Sequence, residues 1–172
     1  MKIFLRVLHF LLLVLFLILQ LVFIEHLKLY HINFDLILVA VIGITLMDGV
    51  LYGMIYGFMG GLLLDLMVGN IVGLSALIYV VCAFIVSRII VIGLKRKILT
   101  YIFLVFLTTE LSLIVSVLFY YLFNYSVNIK EFGLEILINP ACNIILVFII
   151  FPLLQAGRLR KDEFGFLYKE KA

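Results

Sequence analysis

Polar residues interrupt this chain at a few places, and apolar runs fill the rest. The runs at 3–24, 72–94, 98–123 and 139–156 are continuous, with no alternation of apolar and polar positions. A membrane-spanning helix needs about 20 apolar residues, whereas barrel strands alternate with period two. The pattern therefore predicts helices at these four places. The region 34–67 is too long for one straight helix and short for two full ones. Asp48-Gly49 divides it, and Asp-Gly is a strong turn dipeptide. A tight hairpin of helices at 34–47 and 50–67 is expected, six helices in all. Asn139 and Pro140 suit the cap and first position of the last helix. The preceding "EFGLEILI" is expected to lie along the outer interface.

Composition names the solvent. Of 172 residues, 67% are hydrophobic and 13% charged, with mean hydropathy +1.36. A soluble domain is about 45–50% apolar and about 25% charged. Too little polar surface exists to cover a water-soluble globule. The expectation is an all-α polytopic membrane protein with one transmembrane domain, 1–156, and a basic tail, 157–172. The first apolar run is too long for the core of a signal peptide, and no small-residue cleavage site follows it.

Charge then sets the orientation. With six passes, eleven of the thirteen Lys and Arg residues share one side with both termini, and only Lys28 and Lys130 fall opposite. Basic residues concentrate on cytoplasmic loops, so both ends are expected in the cytoplasm. The "KRK" at 95–97 and the tail are orientation signals that also meet anionic lipid. Arg88 can snorkel towards the same interface.

The third helix carries an unusual stripe. In "GVLYGMIYGFMGGLLLDLMVGN", Gly49, Gly53, Gly57 and Gly61 recur every four residues, and Asp65 takes the next place. Small residues let membrane helices approach closely. Packing inside the bundle is the favoured use of the stripe, and a docking face for a partner helix is the alternative. Asp65 would accept hydrogen bonds from the Gly69–Gly73 turn or from the start of the fourth helix, where a negative charge is welcome. A partner contact, or a proton or ligand site, is its other reading. Glu110, midway along the fifth helix, is an intramembrane acid and so a functional candidate. Thr108, Thr109 and Ser112 are expected to bond it inside the bundle, with contact to a polar group of a partner helix, or proton transfer, as the alternatives. His9 and Gln20 read as polar packing residues. His26 and His31, with Glu25 and Asp35 nearby, read as solvated loop residues. Cys82 and Cys142 sit in apolar runs without metal spacing and read as small hydrophobes.

No hydrolase elbow, phosphate loop or zinc-protease motif is present, so neither an enzyme nor a cofactor is expected, and no nucleic-acid partner. The glycine series lies inside an apolar helix, without the strand and Lys-Ser/Thr of a nucleotide loop.

Residues 34–86, and most specifically "GFMGGLLLDLMVGNIVGLSALIY" at 57–79, resemble the bacterial rod shape-determining MreD family. The length, the hydrophobicity, and the late "NPACNIILVFIIFPLL" with a basic tail fit the same family. The resemblance implies motif positions at Gly57, Gly61, Asp65, Gly69 and Gly73. It implies a non-catalytic scaffold in the cytoplasmic membrane, within the elongasome that builds lateral-wall peptidoglycan. The implied partners are the MreC membrane helix, RodA with its transpeptidase partner, and MreB indirectly. A face including the third helix would hold MreC. The fold it implies is similar to the S components of energy-coupling-factor transporters. A substrate-binding subunit of a small-molecule transporter is the competing function.

Overall fold

The computed structural model describes residues 2–27, 34–68, 71–91, 98–124 and 129–155. Six helices follow in order: α1 (Lys2–Leu27), α2 (Leu36–Asp48), α3 (Val50–Val68), α4 (Leu74–Val91), α5 (Ile98–Leu122) and α6 (Ile129–Gln155). No strand occurs among the described residues. Four segments are long and apolar enough to cross a membrane: Val50–Val68, Leu74–Val91, Ile98–Leu122 and Gly133–Leu154. The apolar stretches Val7–Val22 and Leu36–Asp48 are shorter.

The architecture follows from α2, whose residues Leu36 to Leu46 are all buried. A helix that is apolar all round belongs inside. It touches α1, α3, α4, α5 and α6, which wrap it in the ring order α1, α3, α4, α5, α6. The outer faces of this ring carry exposed Leu, Ile, Val and Phe side chains, such as Leu51, Phe58, Leu99, Phe103, Ile145 and Phe148. That is the surface lipid requires.

Close packing around α2 comes from small residues and from buried hydroxyls that bond backbone carbonyls. A Cβ on Gly43 would lie 2.8 Å from the Tyr101 hydroxyl and would also meet Leu154. The same hydroxyl donates to the Val39 carbonyl at 2.6 Å, fixing α5 against α2. Thr45 and Thr108 donate to the carbonyls of Val41 and Leu104, both at 2.7 Å, so neither hydroxyl stays orphaned in an apolar setting.

The expected division at Asp48-Gly49 is where α2 ends. Gly49, at φ 97° and ψ 172°, alone links α2 to α3, and its N–H bonds the Thr45 carbonyl at 3.1 Å. Only glycine adopts that conformation cheaply. The last helix departs from expectation. It begins at Ile129, so Asn139 is not its cap, and Pro140 and Pro152 lie inside it. Consequently "EFGLEILI" is part of α6 rather than a segment that precedes the helix. Pro140 removes one backbone donor and crowds the carbonyl one turn back, yet α6 continues through it. The tail at 157–172 lies outside the described residues.

Replacing Gly49 by Ala should lower stability by about 1–3 kcal/mol, the usual strain of a side chain in a glycine-only conformation. Gly133→Ala is the control, since a Cβ there meets nothing within 4 Å. Denaturant titration in detergent, followed by far-ultraviolet circular dichroism, should show loss for the first and none for the second.

Candidate functional site

The short α2 determines where polar residues gather. Thirteen residues make a helix about 20 Å long, against a hydrocarbon core of about 30 Å. Its N-terminal end therefore stops inside the bundle, where unpaired N–H groups are costly. Asp35 caps it. One carboxylate oxygen accepts from the Leu38 N–H at 2.9 Å, and the other from the Tyr79 hydroxyl of α4 at 2.6 Å. The Asp35 N–H donates to Asn143 Oδ1 of α6 at 2.8 Å, and Asn143 Nδ2 donates to Thr109 Oγ1 of α5 at 3.0 Å. Gln20 of α1 accepts from the Ile37 N–H at 3.2 Å. One capped helix end thus draws polar groups from four surrounding helices. Asp35 is not a solvated loop residue. His31 lies outside the described residues, as do the side chains of Glu25 and His26.

Beyond this cap is a cavity of about 300 Å³. Its α5 wall presents Thr109, Ser112, Ser116 and Tyr120, and its α6 wall Asn139 and Asn143. Asp35, Asp65, Gln20 and Ser75 complete the polar lining, and apolar residues including Phe34 and Leu113 fill the remainder.

Asp65 enters from α3. Its Oδ2 accepts from the N–H groups of Gly73 and Ser75, both at 2.9 Å, and of Ala76 at 3.4 Å. The carboxylate of one helix caps the next. The glycines make this reach possible. A Cβ on Gly61 would sit 2.5 Å from the Ala76 Cα and backbone nitrogen, so α3 and α4 touch backbone to backbone one turn before Asp65. Gly57 faces Tyr79 and Val41, each 3.2 Å from its Cβ position, and Gly53 faces Thr45. Gly73, at φ 93°, turns the chain into α4. Gly69 lies outside the described residues. Gly53, Gly57 and Gly61 are thus spent on packing against α2 and α4, the favoured use of the stripe, rather than on the alternative of an outward docking face. Gly60, absent from the four-residue series, also packs inward, 2.8 Å from Ile37 Cγ2 at its Cβ position.

At the other end of α2, the His9 ring nitrogen Nδ1 lies 2.9 Å from Asp48 Oδ2. The ring is buried and the alignment is poor for a hydrogen bond, so the contact is one of charge or dipole. Glu110 stands half-buried at the middle of α5, and no hydrogen bond or ion pair among the described residues engages it. Its expected local partners are committed elsewhere. Thr108 and Ser112 bond backbone carbonyls, and Thr109 accepts from Asn143. Cys82 is buried and Cys142 half-buried, both free, and Arg88 lies 4.9 Å over the Phe84 ring. No set of three His, Cys, Asp or Glu residues able to hold a metal occurs among the described residues.

Comparison with known families gives a match. The family model of the rod shape-determining protein MreD covers residues 1–156. The chain belongs to the MreD family. Membership makes it a membrane protein with a role in determining rod shape. Neither the curated proteins nor the solved structures provide a match.

Of the positions that the resemblance implied as a motif, Gly57, Gly61, Asp65 and Gly73 meet at the α3–α4 contact. Sequence reasoning missed the Asp35 network, because a lone Asp after a polar loop reads as exposed. A signal existed in Asp35 followed at once by an unbroken apolar helix: the spacing of an N-cap. Asn139 and Asn143, one turn apart on an otherwise greasy helix, were the second sign.

Asp35→Ala strands the Tyr79 hydroxyl and the Leu38 N–H, each formerly paired. It should destabilise the protein by about 1–3 kcal/mol for each buried group left unsatisfied. Asp35→Asn keeps an acceptor and should lose less. The same detergent titration ranks the two variants against the wild type.

Proposed function

We propose that this protein is a non-catalytic membrane scaffold of lateral-wall elongation, holding the MreC membrane helix and, through it, RodA and its transpeptidase partner. MreB filaments would be coupled indirectly. The family match carries this reading. The lack of enzyme motifs in the sequence agrees with it. A six-pass arrangement in the bacterial cytoplasmic membrane, both termini cytoplasmic, is supported by the eleven basic residues that this topology collects on one side. The basic tail is suited to anionic lipid.

The contact with a partner helix moves away from the glycine stripe. Glu110 is the better candidate: a carboxylate at the middle of a membrane-length helix, without a partner among the described residues. Exposed Phe103, Phe106, Leu107 and Ile114 surround its position on α5. An intramembrane acid favours a polar group on a neighbouring helix. Hydrogen bonds between membrane helices contribute about 1 kcal/mol, roughly fivefold in affinity.

A second reading, a substrate-binding subunit of a transporter, is favoured by the polar cavity beyond Asp35. In-cell crosslinking, then purification in mild detergent with proteomics, separates the two. Recovery of MreC with RodA or its transpeptidase supports the scaffold. Recovery of a membrane coupling protein with two ATPases, and no wall synthase, overturns it. Within the scaffold reading, Glu110→Leu should cut MreC recovery roughly fivefold while Glu110→Gln retains most of it. Equal recovery with both variants would remove α5 from the interface.

A further inference from the structure

We propose that the cavity beyond the N-terminal end of α2 is a binding site for a small organic ammonium ion. The proposal depends on neither functional reading above. The cavity exists because α2 is short while α5 and α6 continue past its end, leaving about 300 Å³ unfilled beyond that end. That volume is too large for a bare ion. No trio of metal-ligating side chains is present among the described residues.

The lining selects the sign of charge. Two carboxylates, Asp35 and Asp65, face the space, and no Lys, Arg or His lines it among the described residues. The N-termini of α2 and α4 both open towards it, and such ends ordinarily attract anions. Here Asp35 and Asp65 already occupy the free N–H groups. An anion therefore finds filled donors and two like charges. A cation finds Asp65 Oδ1, which the three bonds to α4 leave unused, since all of them go to Oδ2. It also finds the rings of Phe34 and Tyr120 in the lining, and ammonium groups bind aromatic faces. The hydroxyl row of Ser112 and Ser116 supplies acceptors for the polar remainder of the ligand.

Charge-selective thiol labelling tests this. Ser116→Cys, in a Cys142→Ala background, is treated in detergent with the trimethylammonium reagent MTSET or the sulfonate reagent MTSES. Both rates are normalised to those at Phe123→Cys, an exposed position near the end of α5. We expect a normalised preference for the cation of about tenfold or more, as carboxylates at close range should give. The MTSET rate should saturate with concentration, which marks binding before reaction. Asp65→Asn keeps an acceptor for α4 and removes the charge, so it should reduce the preference. Equal normalised rates, an MTSET rate linear in concentration, or no reaction with either reagent would each overturn the proposal. Repeating the labelling in nanodiscs identifies the source of the ammonium group. Protection by phosphatidylethanolamine, compared with phosphatidylglycerol, assigns it to a lipid headgroup, and unchanged rates assign it to a soluble amine.

Discussion

A helix of thirteen residues at the centre of a membrane bundle cannot reach water at both ends. Lipid and protein interior offer its terminal N–H and C=O groups nothing, so every partner must come from the chain itself. At one end Asp35 supplies an acceptor and recruits Tyr79, Asn143 and, through Asn143, Thr109. At the other, Gly49 reverses the chain in a single residue, and Asp48 lies against His9. The surrounding helices are positioned by these two ends as much as by side-chain packing.

The glycines and Asp65 form the second such device. In lipid there is little hydrophobic gain from bringing helices together, so close approach must come from shape. Gly61 against Ala76 brings two backbones into contact, and Asp65 then bridges the N–H groups of the following helix start. The charge at the end of the stripe is explained by the stripe: glycine brings the backbone near enough for a carboxylate one turn later to cap it. Gly53, Gly57 and Gly61 face α2 and α4 rather than the outside of the bundle.

What remains for partners and ligands is what the bundle leaves unused. On the lipid-facing side of α5 this is Glu110, a carboxylate without a local bond among the described residues. In the interior it is the polar cavity. The two are separate, since Glu110 is not part of the cavity wall, although the adjacent Thr109 is.

Fold class was legible in the residues, because apolar runs of membrane length leave only helices as a solution. The Asp48-Gly49 division and the role of Asp65 as a cap for the next helix were legible for local reasons: turn chemistry and helix ends act over a few residues. The start of α6 was not. Asn139-Pro140 carries the local signature of a helix start, yet Asn139 is buried inside α6. Nor was the centrality of α2, since a short apolar helix in the interior reads the same as one at the surface. The sequence by itself determined the solvent, the helices and the turns, which follow from composition and near-neighbour spacing. Only the tertiary structure decided which polar residues meet. The separations from Asp35 to Tyr79 and Asn143 are 44 and 108 residues, and contacts of that range depend on how the helices are arranged around α2, which no local pattern encodes.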